Sequence, residues 1–220
     1  MVENTGMNTY QRLAVRLHEL GMITRRKAEE ACVYAADWGE PRPERRTDEL
    51  TGVFEVCGVA VQVHGEDVDF AEGAYADILE VAERMIGGAV AVTDVALVGE
   101  IGSLRDLDFK VNGEAKSWRI EQESDDYLDL GAVHEGIADL LPGGDDPRVF
   151  HCVPGDGPCA DDYYLLATPG QAAALRDEFG LRIEVRGADG LPVRRPWPCP
   201  DTAPDQRPGA MPGRGFSGSR

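Results

Sequence analysis

The sequence predicts an α+β fold: a mainly antiparallel sheet covered by about three helices, preceded by an N-terminal helical hairpin. Two patterns support this. Residues 107–121 alternate apolar and polar side chains on either side of Asn112-Gly113, as a hairpin with one buried face does. Residues 70–86 and 130–141 instead repeat apolar residues every three or four positions, as helices lying on a sheet do.

Met7 to Leu20 reads as a helix with Leu13, Val15 and Leu17 on its apolar side, stopped by Gly21. Thr24 is a suitable cap for a second helix from Arg25 to Asp37, whose apolar face is small (Ala28, Ala31, Cys32, Ala35). The two form a hairpin over residues 1–38. Its Arg25-Arg26-Lys27 cluster invites comparison with a helix-turn-helix DNA reader, but a third helix is missing and the cluster stands at a helix start. Residues 39–52, rich in Pro and charge, read as a linker.

The main domain is assigned to residues 53–186. Val53–Cys57 and Val59–Val63 flank Gly58 and read as a tight hairpin, or as one strand with a glycine bulge. Asp69 is the expected cap of a helix from Phe70 to Ile86 with Ala74, Tyr75, Ile78, Leu79, Ala82 and Met85 inward. Ala91–Val98 is strand-like. In the Asn-Gly hairpin, Leu107, Phe109 and Val111 face Trp118 and Ile120 on the buried side. A helix from Tyr127 to Leu141 ends at Pro142-Gly143-Gly144. Strands follow at 148–153 and 162–167, then a helix from Gly170 to Phe179 capped by Thr168-Pro169, then a last strand at 181–185. About seven or eight strands are expected in all. Residues 187–220, dominated by Pro, Gly and Arg, read as a disordered tail.

Composition narrows the function. The 220 residues carry a net charge of −18. It is concentrated in residues 51–187, with 28 acidic and 9 basic side chains. Such a field repels nucleic acid and anionic membranes and steers basic proteins toward it. No apolar run approaches the roughly 18 residues of a membrane span, and no signal sequence is evident. Five scattered cysteines fit reduced thiols, and a cytoplasmic location is expected.

Catalytic constellations are sparse. Cys152 and Cys159 are too widely spaced for a zinc pair, and neighbouring His151 and Cys152 point to opposite sides of a strand. His64 and His134 could approach a thiol only through the fold. The pairs Asp125-Asp126, Asp145-Asp146 and Asp161-Asp162 each precede an element, where capping alone wants Asp. No nucleophile elbow or phosphate loop occurs. No catalytic residue, metal or cofactor is therefore expected. The expected binding surface joins acids to aromatics: Glu121, Glu123, Asp125, Asp126 and Tyr127 in one group, and Asp161, Asp162 and Tyr163 in another. Of Tyr163 and Tyr164, alternation sends one outward, and Tyr163 is taken as that anchor.

Two stretches, Trp118-Arg119-Ile120-Glu121 to Asp129 and Tyr164-Leu165-Leu166-Ala167-Thr168-Pro169 to Leu181, resemble small actinobacterial α+β proteins, some of them immunity proteins of polymorphic toxin systems. The resemblance spans about residues 53–186 and transfers no individual residue. It implies a non-enzymatic inhibitor of a basic toxin or nuclease. The alternatives are a small metal-dependent or acid/base hydrolase, and a structural subunit of a larger assembly.

Overall fold

The computed structural model describes residues 6–66, 68–121, 124, 126–157 and 160–187. The expected tail therefore lies outside the described residues from 188 onward. The fold is α+β, and among the described residues it has an N-terminal helical hairpin, six α-helices in all and two three-stranded antiparallel sheets. Among the described residues the strands number six rather than seven or eight, and they divide between two sheets.

The hairpin is α1 (Thr9–Glu19) and α2 (Arg25–Tyr34). Asn8 and Gln11 form a reciprocal capping box at the start of α1, and Thr24 caps α2 as its sequence predicts. The next stretch corrects the expectation. Residues expected as linker and strand form a short 3-10 turn (Pro43–Arg45) and then α3 (Arg46–Cys57), ended by Gly58 in the left-handed conformation at φ 68°. Val53, Phe54 and Cys57 are β-formers by propensity, yet their spacing of one, three and four puts all three into one buried helical face.

The start of α3 lacks a local side-chain cap, and Asp156, far along the chain, provides one. Asp156 accepts from the amides of Thr47 and Asp48 at 2.7 and 3.1 Å, and its own amide donates to the Asp48 carboxylate at 2.7 Å. This is a capping box closed across the chain. At the other end of the same contact, Arg46 Nε donates to the Phe179 carbonyl at 2.7 Å. Asp156→Ala is expected to destabilise the fold by about 1–2 kcal/mol, and Asp156→Asn by much less, as read from urea midpoints.

The first sheet consists of β1 (Ala60–Val63), β5 (Val149–Val153) and β6 (Asp162–Ala167), in the order β1-β6-β5. Between β1 and β5 come α4 (Ala71–Ile86), then β2 (Val92–Val98), β3 (Leu104–Val111) and β4 (Glu114–Glu121) as the second sheet, then α5 (Leu130–Gly136). The chain closes with α6 (Pro169–Phe179). The expected last strand is reduced to a bridge of Glu184 with Cys152, while Leu181 and Ile183 turn into the core.

The first sheet is buried on both faces. Val61, Tyr164, Leu166, Phe150 and Cys152 join α4, α5 and the inner face of the second sheet in one core cluster. Ala60, Tyr163, Leu165, Ala167 and Val153 join α1, α3 and α6 in another. The hairpin is therefore an integral layer, with Leu13, Ala14 and Leu17 fully buried.

The second sheet follows its sequence pattern closely. Leu107 pairs with Trp118 and Arg105 with Ile120. Leu107, Phe109, Val111, Trp118 and Ile120 are buried. Asn112 and Gly113 have φ of 52° and 83°, the two positive values that a type I′ turn requires. The β2 strand carries a bulge between Thr93 and Ala96, where Asp94 adopts φ 58° and pairs with Lys110 at 2.8 Å. Helix α4 buries the predicted Tyr75, Ile78, Leu79 and Ala82, but its cap position is Phe70, without a side-chain bond, and not Asp69.

Candidate functional site

Two places stand out: one end of the second sheet, and a polar cluster on the inner face of the first.

Contacts from several elements build the sheet end. The Glu72 carboxylate, in the first turn of α4, accepts from the Leu97 amide at 3.0 Å and holds the helix start against the end of β2. The Val68 amide donates to the Asp126 carbonyl at 3.1 Å, so the chain before α4 lies against residues 126–127. In the sheet, Val98 opposes Asp106 and Leu104 opposes Glu121. Phe70, Val98, Ile101, Leu104 and Tyr127 are exposed here, five of the eight large apolar side chains in that state among the described residues. Glu100, Glu121 and Asp126 are exposed among them. Isolated exposed apolar residues need no explanation, but a group drawn from four segments and edged with carboxylates does.

The residues expected to bind divide accordingly. Glu121, Asp126 and Tyr127 belong to this end and are exposed, while Glu123 and Asp125 lie outside the described residues. Asp161 sits elsewhere, hydrogen-bonded to Gln62 and His64. The two groups border a common stretch, because the Gly65 carbonyl beside His64 accepts from the Leu128 amide at 3.0 Å. Asp162 is half-buried and points to the inner face, and burial raises its pKa. Tyr163 is a correction: at 7 % exposed it is buried, as its neighbour Tyr164 is on the other face, because helices α1, α3 and α6 cover the face expected to meet water.

Sequence reasoning missed Phe70, Val98, Ile101 and Leu104. For Leu104 a signal existed, since carrying the alternation of Leu107, Phe109 and Val111 back along β3 puts Leu104 on the wet face. For Val98 the bulge in β2 breaks that count.

The polar cluster forms around Cys152. Tyr164 is its partner in β6 and Glu184 its partner in the bridge, so the three stand in one row across the sheet. His134 of α5 covers the row, with Nε2 3.7 Å from Glu184 Oε2. The side-chain ligand atoms of His134, Cys152 and Glu184 all lie within 4.8 Å of one another. Arg186 Nη2 is 3.0 Å from both His134 Nε2 and the His134 carbonyl. Burial raises the pKa of the Cys152 thiol and of the Tyr164 hydroxyl well above their ordinary values.

The other expected chemistry resolves into structural bonding. His151 lies on the opposite face of β5 from Cys152, wholly buried, with Nε2 3.0 Å from the Ala167 carbonyl and Nδ1 accepting from the Arg186 amide at 2.9 Å. Asp146 clamps the Arg148 guanidinium and amide at 2.6–3.0 Å. Cys159 lies outside the described residues. Cys57 is a helical residue whose burial pushes its thiol up to about 11, where it is inert.

Comparison with protein-family models, with curated proteins and with solved structures finds no match in any of the three. Among the described residues no helix is long and apolar enough to cross a membrane.

Proposed function

We propose that the protein is a non-enzymatic, cytoplasmic binding module that docks a basic protein at the outer end of its second sheet, in the manner of an immunity-type inhibitor. The observation that carries this is the exposed group Phe70, Val98, Ile101, Leu104 and Tyr127, edged by Glu100, Glu121 and Asp126. Apolar anchors among acids suit a partner whose contact surface pairs apolar residues with Lys or Arg. The charge of residues 51–187 steers such a partner from a distance. The resemblance to immunity proteins of toxin systems points the same way.

The test is capture of partners by the full chain at low salt and at about 0.5 M salt, with identification by mass. One basic protein is expected, bound more weakly at high salt. Leu104→Asp is expected to weaken its binding at least about tenfold, equal to 1.4 kcal/mol, while leaving stability within about 0.5 kcal/mol. A neutral or acidic partner, held equally at both salt concentrations and indifferent to Leu104→Asp, defeats the proposal.

The grouping of His134, Cys152 and Glu184 favours the alternative of a small metal-dependent hydrolase. Hydrolytic turnover that rises and falls with a bound ion is the discriminating observation.

A further inference from the structure

We propose that His134, Cys152 and Glu184 form a binding site for a zinc-type divalent cation, with Arg186 holding its place when the ion is absent. The inference is independent of the docking end, which shares no residue with it.

Three elements converge on the site. Cys152 comes from near the end of strand β5, Glu184 from the segment bridged to it, and His134 from the helix above. The backbone fixes this arrangement, because the Glu184 amide donates to the Cys152 carbonyl at 2.8 Å. Nitrogen, thiolate and carboxylate are the ligand set that zinc accepts. With metal–ligand bonds of about 2.0–2.3 Å, tetrahedral ligand atoms stand roughly 3.3–3.8 Å apart. The 3.7 Å between His134 and Glu184 already meets that spacing, and the thiol lies within 4.8 Å of both. Rotamer adjustment of one side chain closes the remainder.

A second observation marks the place. The Tyr164 hydroxyl is fully buried and has no hydrogen-bond partner among the described residues. Cys152 is its strand partner and its ring stands 6.4 Å from that of His134 between centroids, so it faces this cluster. A buried hydroxyl left unpaired costs about 1–3 kcal/mol, and such groups ask for an ion or its water. Three protein ligands leave a fourth position on zinc for a water that the hydroxyl can reach.

Arg186 explains how the site stays folded when empty. Its guanidinium supplies a positive charge beside the Cys152 thiol and the Tyr164 hydroxyl. It does so by donating to His134 Nε2, the lone pair a metal would use. Arginine and metal therefore exclude each other. On binding, the Cys152 S–H bond breaks, its electron pair passes to the metal and its proton to solvent. One thiolate and one carboxylate then balance the two positive charges.

Cobalt(II) titration of the reduced full-length chain tests this, with near-ultraviolet absorption reading thiolate-to-cobalt charge transfer. One ion per chain is expected, with that band present and about one proton released. Cys152→Ser is expected to lose the band. Because Cys152 is buried and its replacement bears on folding, Glu184→Gln at an exposed carboxylate provides a second variant. It should weaken binding about tenfold with the circular dichroism unchanged. Arg186→Met should tighten binding by about the same factor. The proposal is overturned if the wild-type chain takes up no stoichiometric ion, if the band survives Cys152→Ser, or if neither Glu184→Gln nor Arg186→Met moves the affinity.

Discussion

Gly136→Ala is expected to destabilise the protein by about 2–4 kcal/mol, among the largest single effects that one methyl group can have here. Gly136 ends α5 with an ordinary φ of −82°, so its backbone makes no demand for glycine. The demand comes from Trp118. A β-carbon at position 136 would meet three atoms of the indole ring at 2.2–2.5 Å. The ring cannot retreat easily, because it stands edge-on to Phe109 at 5.2 Å between centroids and its Nε1–H donates to Asp139 at 3.1 Å. The bare α-carbon of Gly136 is thus the floor on which the hairpin tryptophan rests. A chain of this size loses roughly 2–4 °C of melting temperature per kcal/mol, so a fall of about 5–15 °C is expected. The double variant Gly136→Ala with Trp118→Phe should cost less than the sum of the two, because the smaller ring vacates the space the methyl takes. Thermal melts of the four proteins measure that coupling, and strict additivity would refute the contact as its cause.

His151→Leu is expected to cost about 2–5 kcal/mol at pH 7, since it removes the partner of two buried backbone groups without changing volume much. The imidazole links two strand ends: Nε2–H donates to Ala167 and Nδ1 accepts from Arg186. That pair of bonds defines a neutral ring with its proton on Nε2. His151→Gln, which can both donate and accept, should recover part of the loss. The same ring makes stability depend on pH. Burial, the largest cause, lowers its pKa from 6.5 to about 4. Between these values the unfolded chain binds the proton and the folded chain does not, so stability falls as pH drops from about 6.5 toward 4. Below about 4 the folded ring also protonates and this contribution levels off. The difference corresponds to on the order of 3 kcal/mol. Urea midpoints of wild type and His151→Leu should therefore converge as the pH is lowered through that window. Parallel curves would mean that the ring does not titrate as its surroundings require.

Where local chemistry and side-chain period agreed, the elements could be read directly. Asn112-Gly113 admits little but a primed turn, and the alternation on either side assigns every buried residue of β3 and β4 from Leu107 to Ile120. Thr24 and Thr168 each present a side-chain oxygen to the third helical amide, so these two helix starts were visible as caps, whereas the helix expected from Tyr127 begins at Leu130, capped by Asp129. The acidic balance of residues 51–187 also needs no fold to be seen.

Where local and distant forces disagreed, the chain alone misled. Residues 46–57 look like linker and strand because their propensities favour neither helix nor a good cap. They become α3 because Leu50, Phe54 and Cys57 find a hydrophobic face to cover and because Asp156, a hundred residues away, caps the helix start. Tyr163 looks exposed because one strand cannot reveal that helices will cover both faces of its sheet. The docking end and the His134–Cys152–Glu184 row are likewise products of tertiary contact. Each gathers residues from segments far apart in sequence, and no periodicity records which segments will meet. Sequence by itself determined the type of most elements, the turn chemistry and the sign of the field. Which faces met water and which polar groups met one another depended on burial and long-range hydrogen bonding, forces that act only once the layers have assembled.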